Sequence, residues 1–526
     1  MPTLDWIGKA AVVNHHHEVP YRMLHDRPEL SVGEPGSGNL LVEGDNLNAL
    51  KALLPYYAGQ VRCIYIDPPY NTGNESWVYS DSVSSPEMKR WLNAAVGGEA
   101  EDLSRHDKWL CMMYPRLTLL REFLREDGAI FVSIDDNEVG NLRALMDEVF
   151  GARSFIASIV WQKRTSPDIR TSLGPAHDYV VVYGGLRSRD RFNPVPYADE
   201  RVAAYKNPDA DPRGPWASVD ITGQTGHATP SQYYEIASPA GLVLRPPAGL
   251  CWAMAEATVL QLIADNRMWF GKDGRGRPRV KRFLSEATGS TPWTWWPHAE
   301  VGHNQEATKE LNAVLGVPGG FDTPKPSRLI KRILQIATDP DSLILDSFAG
   351  SGTTGHAMLQ LNKEDGGSRR FILAEMETHI AQDITRERLR RVIEGYGHPG
   401  KEVDGLGGGF RYCQLGEPLF NEQGQLSEAV TFTDLARHIY FTESGDPLIG
   451  LLEDGSSLIG RAKGVEYHLL WNGFRGGSLL NSEVVRGMGR RACPRIIYPD
   501  YCRLTSSDLK RREITFKQIP YALKIA

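Results

Sequence analysis

Short apolar runs punctuate this chain, and several of them end on an acid or on a cluster of turn-forming residues. Residues 63–66 form one such run, stopped by Asp67, Pro68, Pro69 and Tyr70. A run rich in β-branched and aromatic residues that closes on Pro-Pro predicts a buried strand delivering these four residues at its carboxyl end. In open α/β sheets that end is where ligands bind. Residues 40–42 predict a second short strand, turning at 43–46 into a helix that reaches about residue 54, with Asp45 or Asn46 placed to cap it. Residues 106–124 have helical periodicity ended by Asp127-Gly128, and 129–134 predict another buried strand before a helix over 138–150. The β-rich runs 155–161 and 179–183 predict a hairpin.

From 184 to 320 the alternation weakens and Pro, Gly and Trp accumulate, which predicts an inserted domain over 185–320 between alternating helix-and-strand parts at 39–184 and 321–415. It contains Trp293-Thr294-Trp295-Trp296, a cluster suited to stacking on bases but more often found in cores. Alternation then returns. An extended segment over 321–326, holding Lys325, precedes a helix over 327–337 and a strand ending on Asp346. The turn at 347–355, with Phe348, Gly350 and Gly352, opens a helix over 356–361, and the next strand ends on Glu375. Glycines of this kind let a backbone approach a ligand, and an acid about twenty residues further on takes ribose hydroxyls. The turn lacks the lysine of a phosphate-gripping loop and is not G-x-G-x-x-G, which disfavours phosphate and nicotinamide readings. Residues 1–38 read as an N-terminal arm whose adjacent His15, His16 and His17 make a poor metal site. Residues 71–98 read as a long loop over the pocket, and 416–526 as a small C-terminal domain.

A length of 526 residues predicts two or three domains. Hydrophobic content of 41% and charged content of 24% are those of a globular protein in water. The six cysteines are scattered without a C-x-x-C pair, which predicts reduced thiols and neither disulfides nor zinc. With no apolar run of membrane-spanning length and no signal-peptide pattern, a cytoplasmic protein is expected. The net charge of −6 does not announce a nucleic-acid partner. It hides a run in which Lys272, Arg275, Arg277, Arg279, Lys281 and Arg282 face the single acid Asp273. Such a run is either a solvated face or a reach toward phosphates.

The Asp67 corner has chemistry of its own. An exocyclic amine on a nucleobase is a poor nucleophile because its lone pair is delocalised into the ring. Asp67 and the Pro68 carbonyl can each accept one amine hydrogen and hold the nitrogen near tetrahedral, while Tyr70 stacks on the base. A base in a duplex reaches such a pocket only by flipping out, at a few kcal/mol. Four isolated residues of this kind would serve equally as a strand-ending turn with an Asp cap. Asp346, the glycine turn and Glu375 in the same chain shift the weight to chemistry.

Together these residues resemble the amino-group DNA methyltransferases of the β class, in which the catalytic motif precedes the target-recognition region and the cofactor motif follows it. The Asp-Pro-Pro-Tyr at 67–70 matches the adenine-specific form, and the segment 348–355 matches the S-adenosylmethionine motif. The resemblance takes in 44–47, 128–136, 323–326 and Glu375, and over most of the chain it extends to the modification subunits of type III restriction systems. It implies an α/β, Rossmann-like S-adenosylmethionine-dependent sheet with circularly permuted motif order. It also implies that Asp67, Pro68, Pro69 and Tyr70 grip the target adenine, while Phe348, Gly350 and Gly352 line the cofactor. Asp346 would support the loop or the methionine amine, Glu375 would take ribose, Asp45 would lie near the cofactor adenine and Lys325 near the methionine carboxylate. No metal is required. Arg275, Arg277, Arg279, Lys281 and Arg282 are expected on the backbone of double-stranded DNA, and the C-terminal domain in a homodimer or against a restriction subunit. The competing readings are a cytosine-N4 enzyme on the same scaffold and a DNA-binding specificity subunit without catalysis.

Overall fold

A computed structural model describes residues 4–33, 35–72, 105–167, 172–185, 192–318, 320–421, 423–448, 456–473, 476–489, 493–519 and 523. Apart from Asn71 and Thr72, the loop expected over 71–98 lies outside the described residues. The chain divides into two compact units, one made of Met1–Asn193 with Trp293–Ala526 and the other of Pro194–Pro292.

The first unit is built on one large sheet. Its strands are β1 (Arg22–Asp26), β2 (Leu40–Glu43), β3 (Val61–Ile66), β4 (Leu124–Ile134), β5 (Phe155–Gln162), β6 (His177–Gly184), β7 (Trp295–Trp296), β8 (Leu343–Asp346), β9 (Arg370–Glu375) and β10 (Gly409–Pro418). They lie in the order β1-β10-β2-β9-β8-β3-β4-β6-β5-β7, with Val32–Gly33 paired beside β10. From β10 to β4 every neighbour is parallel, and β6 enters antiparallel between β4 and β5. All residues of β3 and β8 are buried, which explains why both read as continuous apolar runs and not as alternating strands. Each fully buried Ile or Leu there contributes roughly 1.5–3 kcal/mol of burial.

The topology sets the position of the site. From β8 the chain continues outward to β9, whereas from β3 it continues the opposite way to β4, so the strand order reverses between β8 and β3. Their register, Ile344 opposite Cys63 and Leu345 opposite Ile64, brings Asp346 and Asp67 to the same edge of the sheet. Ligands bind in the crevice at such a reversal. The longer helices of this part are α1 (Asn46–Tyr57), α2 (Arg105–Phe123), α3 (Val139–Met146), α4 (Asn304–Leu315), α5 (Ser327–Ala337), α6 (Thr353–Asp365), α7 (Glu387–Glu394) and α8 (Phe432–Ser444).

The domain expectations need correction in three places. Residues 1–38 are no free arm, since β1 pairs with β10 and Trp6, Val12, Val19, Tyr21 and Met23 are buried in the same core as the sheet. Residues from 416 on are no separate body either. Helix α8 packs on α1, and Leu435, Ala436 and Ile439 join the main core. A four-stranded sheet of Leu458–Ala462, Val465–Leu469, Arg495–Tyr498 and Ile514–Phe516 follows in the same unit. The insertion is shorter than 185–320, because the chain rejoins the first unit at Trp293. Trp296 lies fully buried in β7, beside β5, while Trp293 and Trp295 stay exposed.

The second unit has its own core of Ile221, Ile236, Trp252, Val259, Met268, Phe270 and Val280. An antiparallel sheet of Met268–Trp269, Arg279–Phe283 and Trp216–Asp220 carries the end of the basic run. Burial divides that run. Lys281 points inward, is 1% exposed and pairs with both Asp209 and Asp211, so it cannot contact DNA and is removed from that set. Arg282 is exposed, and Arg279 is half-buried against Ser218 and Asp220. Lys272, Arg275 and Arg277 are positioned on the preceding turn, where Arg275 and Arg277 stand clear of the core of this unit.

Candidate active site

At the strand reversal a cavity of about 260 Å³ opens. The end of β3 contributes Asp67, Pro68, Pro69 and Tyr70, and the turn after β8 contributes Asp346, Phe348 and Gly350. Lys325 closes it from the extended segment before α5. Two motifs that lie far apart in the sequence therefore face one space, at the place where the topology puts a ligand.

The corner at Asp67–Tyr70 is held from behind. Trp109, fully buried on α2, donates its indole N–H to the Pro69 carbonyl at 2.7 Å. Burial, reinforced by the Asp67 charge, pushes the Tyr70 phenol well above its ordinary value, so the ring stays neutral and suited to stacking. Asp67 carries an unexpected partner. Lys325 donates to its Oδ2 at 2.5 Å, and the same ammonium lies 4.9 Å from the Tyr70 ring centroid. The resemblance implies a methionine carboxylate beside Lys325; in this structure its cation is instead drawn to the nearest carboxylate in the cavity.

The glycine turn is shaped by two buried acids. Asp346 accepts from the Phe348 N–H at 3.0 Å and from the Thr354 hydroxyl at 2.5 Å, which ties the end of β8 to the first turn of α6. Glu375 accepts from the Gly350 N–H at 2.8 Å and the Glu377 N–H at 3.1 Å. It braces the turn and is not among the residues lining the cavity. Burial is the largest influence on both and pushes each carboxyl up to about 7. Gly350 and Gly352 have φ of 49° and 75°, in the left-handed region that glycine adopts without strain. Their missing side chains matter as well, because a Cβ would stand 3.1 Å from the Phe321 ring at the first and 3.1 Å from Thr385 Cγ2 at the second.

Asp45 sits elsewhere, in a polar depression lined also by Glu43, Gly44, Thr378 and Gln414. Its carboxylate caps α1 through the Asn48 N–H and pairs with Arg116 at 3.0 Å. Buried Arg116 also donates to the Asn46 side chain at 2.5 Å, and Asn46 in turn donates to the Ser347 carbonyl at 3.1 Å. This chain of bonds joins the turn after β2 to the turn after β8.

Sequence reasoning missed Trp109 and Arg116, and also Lys163 and Asp178, a buried ion pair on the cavity wall. It missed Arg388 too, which is fully buried on α7. Arg388 donates to the Thr353 hydroxyl at 2.8 Å and pairs with Glu310 of α4 at 3.1 Å. None of these residues belongs to a recognisable motif, so only the three-dimensional arrangement reveals them. Among the described residues no cluster of His, Cys, Asp and Glu suits a metal ion, and no helix is long and apolar enough to cross a membrane.

Comparison with known proteins agrees with this geometry. The N6/N4 methyltransferase family, described as DNA methylase, matches residues 61–386. The StyLTI Mod subunit of a type III restriction-modification enzyme from Salmonella typhimurium is 37% identical over 68% of this chain and 57% of its own. The EcoPI Mod subunit from Escherichia phage P1 is 31% identical over 74% of this chain and 68% of its own. The type II methyltransferase M.KpnI from Klebsiella pneumoniae is 30% identical over 67% of this chain and 87% of its own. The chain thus spans little more than half the length of the Salmonella relative. The family match begins at β3 and runs through the glycine turn to residue 386, so it encloses both walls of the cavity, and the chain belongs to the N6/N4 DNA methylase family.

Proposed function

We propose that this chain transfers a methyl group from S-adenosylmethionine to N6 of an adenine flipped out of double-stranded DNA. The observation that carries the reading is one cavity holding Asp67, Pro68 and Tyr70 on one wall and the glycine turn after β8 on the other. The turn owes its tight path to Gly350 and Gly352, where an added Cβ would meet Phe321 and Thr385, and it brings Asp346, Phe348 and Gly350 onto the cavity wall where a cofactor would lie. When bound, the sulfonium supplies an already activated methyl group. The chain need only position the amine, stabilise charge and exclude water. Asp67 and the Pro68 carbonyl accept the two amine hydrogens, and Tyr70 stacks on the base. For the base to enter, Lys325 must leave Asp67, and a methionine carboxylate is a fitting new partner for it. In this reading Glu375 shapes the turn from behind the cavity, and Asp45, in its separate depression, is given no cofactor contact. The test is methyl transfer from labelled S-adenosylmethionine to unmethylated duplex DNA. Label in the DNA supports the reading, and bound cofactor with no transfer counts against it.

The buried acids give a pH dependence. An acid raised to about 7 holds its proton more tightly in the folded chain than in the unfolded one. Its contribution to stability is therefore greatest in acid and is lost as pH rises from about 4 to 7. A cationic cofactor prefers the ionised carboxylates, so its binding is expected to tighten as pH rises through 7. Calorimetry at pH 6 and pH 8 should show the lower Kd at pH 8, with a smaller difference in Asp346→Asn. A wild-type Kd that does not change with pH contradicts this.

DNA backbone contact falls to Lys272, Arg275, Arg277 and Arg282, with Arg279 only half available. Neutralising these four residues should reduce the salt slope of DNA binding by about 0.9 for each phosphate that the chain no longer neutralises. An unchanged slope would remove the basic turn from the interface. Lys281 is left out of the set because breaking such a buried pair costs about 3–5 kcal/mol of stability for reasons unrelated to DNA. The relatives named as Mod subunits support a place beside a restriction subunit, and a homodimer belongs to the same reading. Light scattering of the chain alone and mixed with a restriction subunit tests both.

A further inference from the structure

One buried carboxylate behind the catalytic corner takes no part in the chemistry above. Glu138, after β4, is 0% exposed. Its Oε1 accepts from Asn71 Nδ2 at 2.5 Å and lies 2.7 Å from His106 Nδ1, while its Oε2 accepts from Asn141 Nδ2 at 2.8 Å. Glu138 stands at the N-cap of α3 but its side chain makes no capping bond, so capping does not explain it. Asn71 directly follows Tyr70, is 0% exposed and is held at φ 58°. Its amide nitrogen also donates to the Arg105 carbonyl at 3.1 Å. A left-handed, buried residue persists only where its surroundings over-determine it. Here the surroundings are Glu138 and the start of α2, which also carries the Trp109 bond to Pro69.

We propose that Glu138 is a positioning residue for methyl transfer. It clasps Asn71 and so fixes the turn from Asp67 to Tyr70 against the glycine turn across the cavity. The inference rests on the methyltransferase reading. Acceptors held tightly behind a reacting amine raise the transfer rate without tightening binding, because a misplacement of about 1 Å is enough to lower it. The bland alternative is a buried acid that only stabilises the fold, which would be felt equally by binding, melting and rate.

Asn71→Gly separates the two. Glycine adopts φ 58° without strain, so this variant removes the clasp and leaves the backbone conformation open to the chain. The expected result is a kcat lower by about tenfold or more, with KM for S-adenosylmethionine and DNA within a few-fold and melting lowered only modestly, because the buried Glu138 carboxylate loses one donor. Glu138→Gln keeps an acceptor for Asn71, and Asn141 can turn its amide oxygen toward the new NH2, so it should recover most of the activity that Glu138→Ala loses. Hydrogen exchange supplies a readout independent of turnover. Amides of residues 64–72 should exchange faster in Asn71→Gly and Glu138→Ala, with 343–355 unchanged. Wild-type rate and exchange in Asn71→Gly would overturn the proposal, as would a Glu138→Gln variant as impaired as Glu138→Ala. If the wild-type chain transfers no methyl group, the functional reading fails, and the exchange comparison still decides whether the clasp holds the turn.

Discussion

Asp67→Ala is expected to leave a folded protein that binds S-adenosylmethionine and transfers methyl groups at least roughly 10²–10³-fold more slowly, the range for removing one preorganised polar group from a transition state. The carboxylate lies at the end of β3 on the cavity wall and is a quarter exposed, with the Lys325 ammonium as its ion-pair partner. Its loss leaves the largely buried Lys325 ammonium without its ion-pair partner, so stability should fall but the chain should stay folded. In the proposed mechanism, what disappears is the acceptor for one amine hydrogen, and with it the charge that balances the positive nitrogen formed during transfer. Lys325 loses its partner in this variant and becomes available to an anionic cofactor group, so cofactor affinity should hold or rise slightly. Asp67→Asn keeps an acceptor oxygen but not the charge, and should fall between wild type and Ala. Activity of Asp67→Ala within a few-fold of wild type, measured under cofactor saturation, would remove Asp67 from the mechanism.

Gly352→Val is expected to weaken cofactor binding severely. At φ 75° a β-branched residue is a backbone outlier, and its Cβ would stand 3.1 Å from Thr385 Cγ2 and 3.3 Å from the Thr385 carbonyl oxygen. Thr385 cannot give way easily, because its hydroxyl is bonded to the Gly350 carbonyl at 2.5 Å and the Ile380 carbonyl at 3.0 Å. Strain at 352 is therefore passed to the turn that contains Gly350. The control is Gly366→Val at the end of α6, where φ is 71° but no atom lies within 4 Å of the added Cβ. Both variants should lose about 1–2 kcal/mol from the left-handed backbone. Only Gly352→Val should lose cofactor affinity, by about a hundredfold or more on titration calorimetry. Equal affinities in the two variants would show that the turn does not shape the cofactor site.

The parallel sheet and both cavity walls were legible because they depend on local signals. Buried strands such as β3 and β8 read as continuous apolar runs, and the Pro-Pro stop and the glycine turn mark where they end. The predicted hairpin of 155–161 and 179–183 is present as β5 and β6. Pairings distant in sequence were not legible. Nothing in residues 22–26 announces a partner near 414, and nothing in Lys281 separates it from the exposed arginines except a strand register that only the fold fixes. Lys325 shows the same limit. The resemblance implied a role near the cofactor, while its contact with Asp67 depends on two segments 258 residues apart.

The central claim is the identity of the base. Unmethylated bacterial DNA, incubated with the chain and S-adenosylmethionine, digested and analysed by nucleoside mass spectrometry, tests it most directly when Asp67→Ala is run beside it. The account predicts N6-methyladenine with the wild-type chain and none above background with the variant. N4-methylcytosine in its place, or N6-methyladenine formed equally by both proteins, would contradict it.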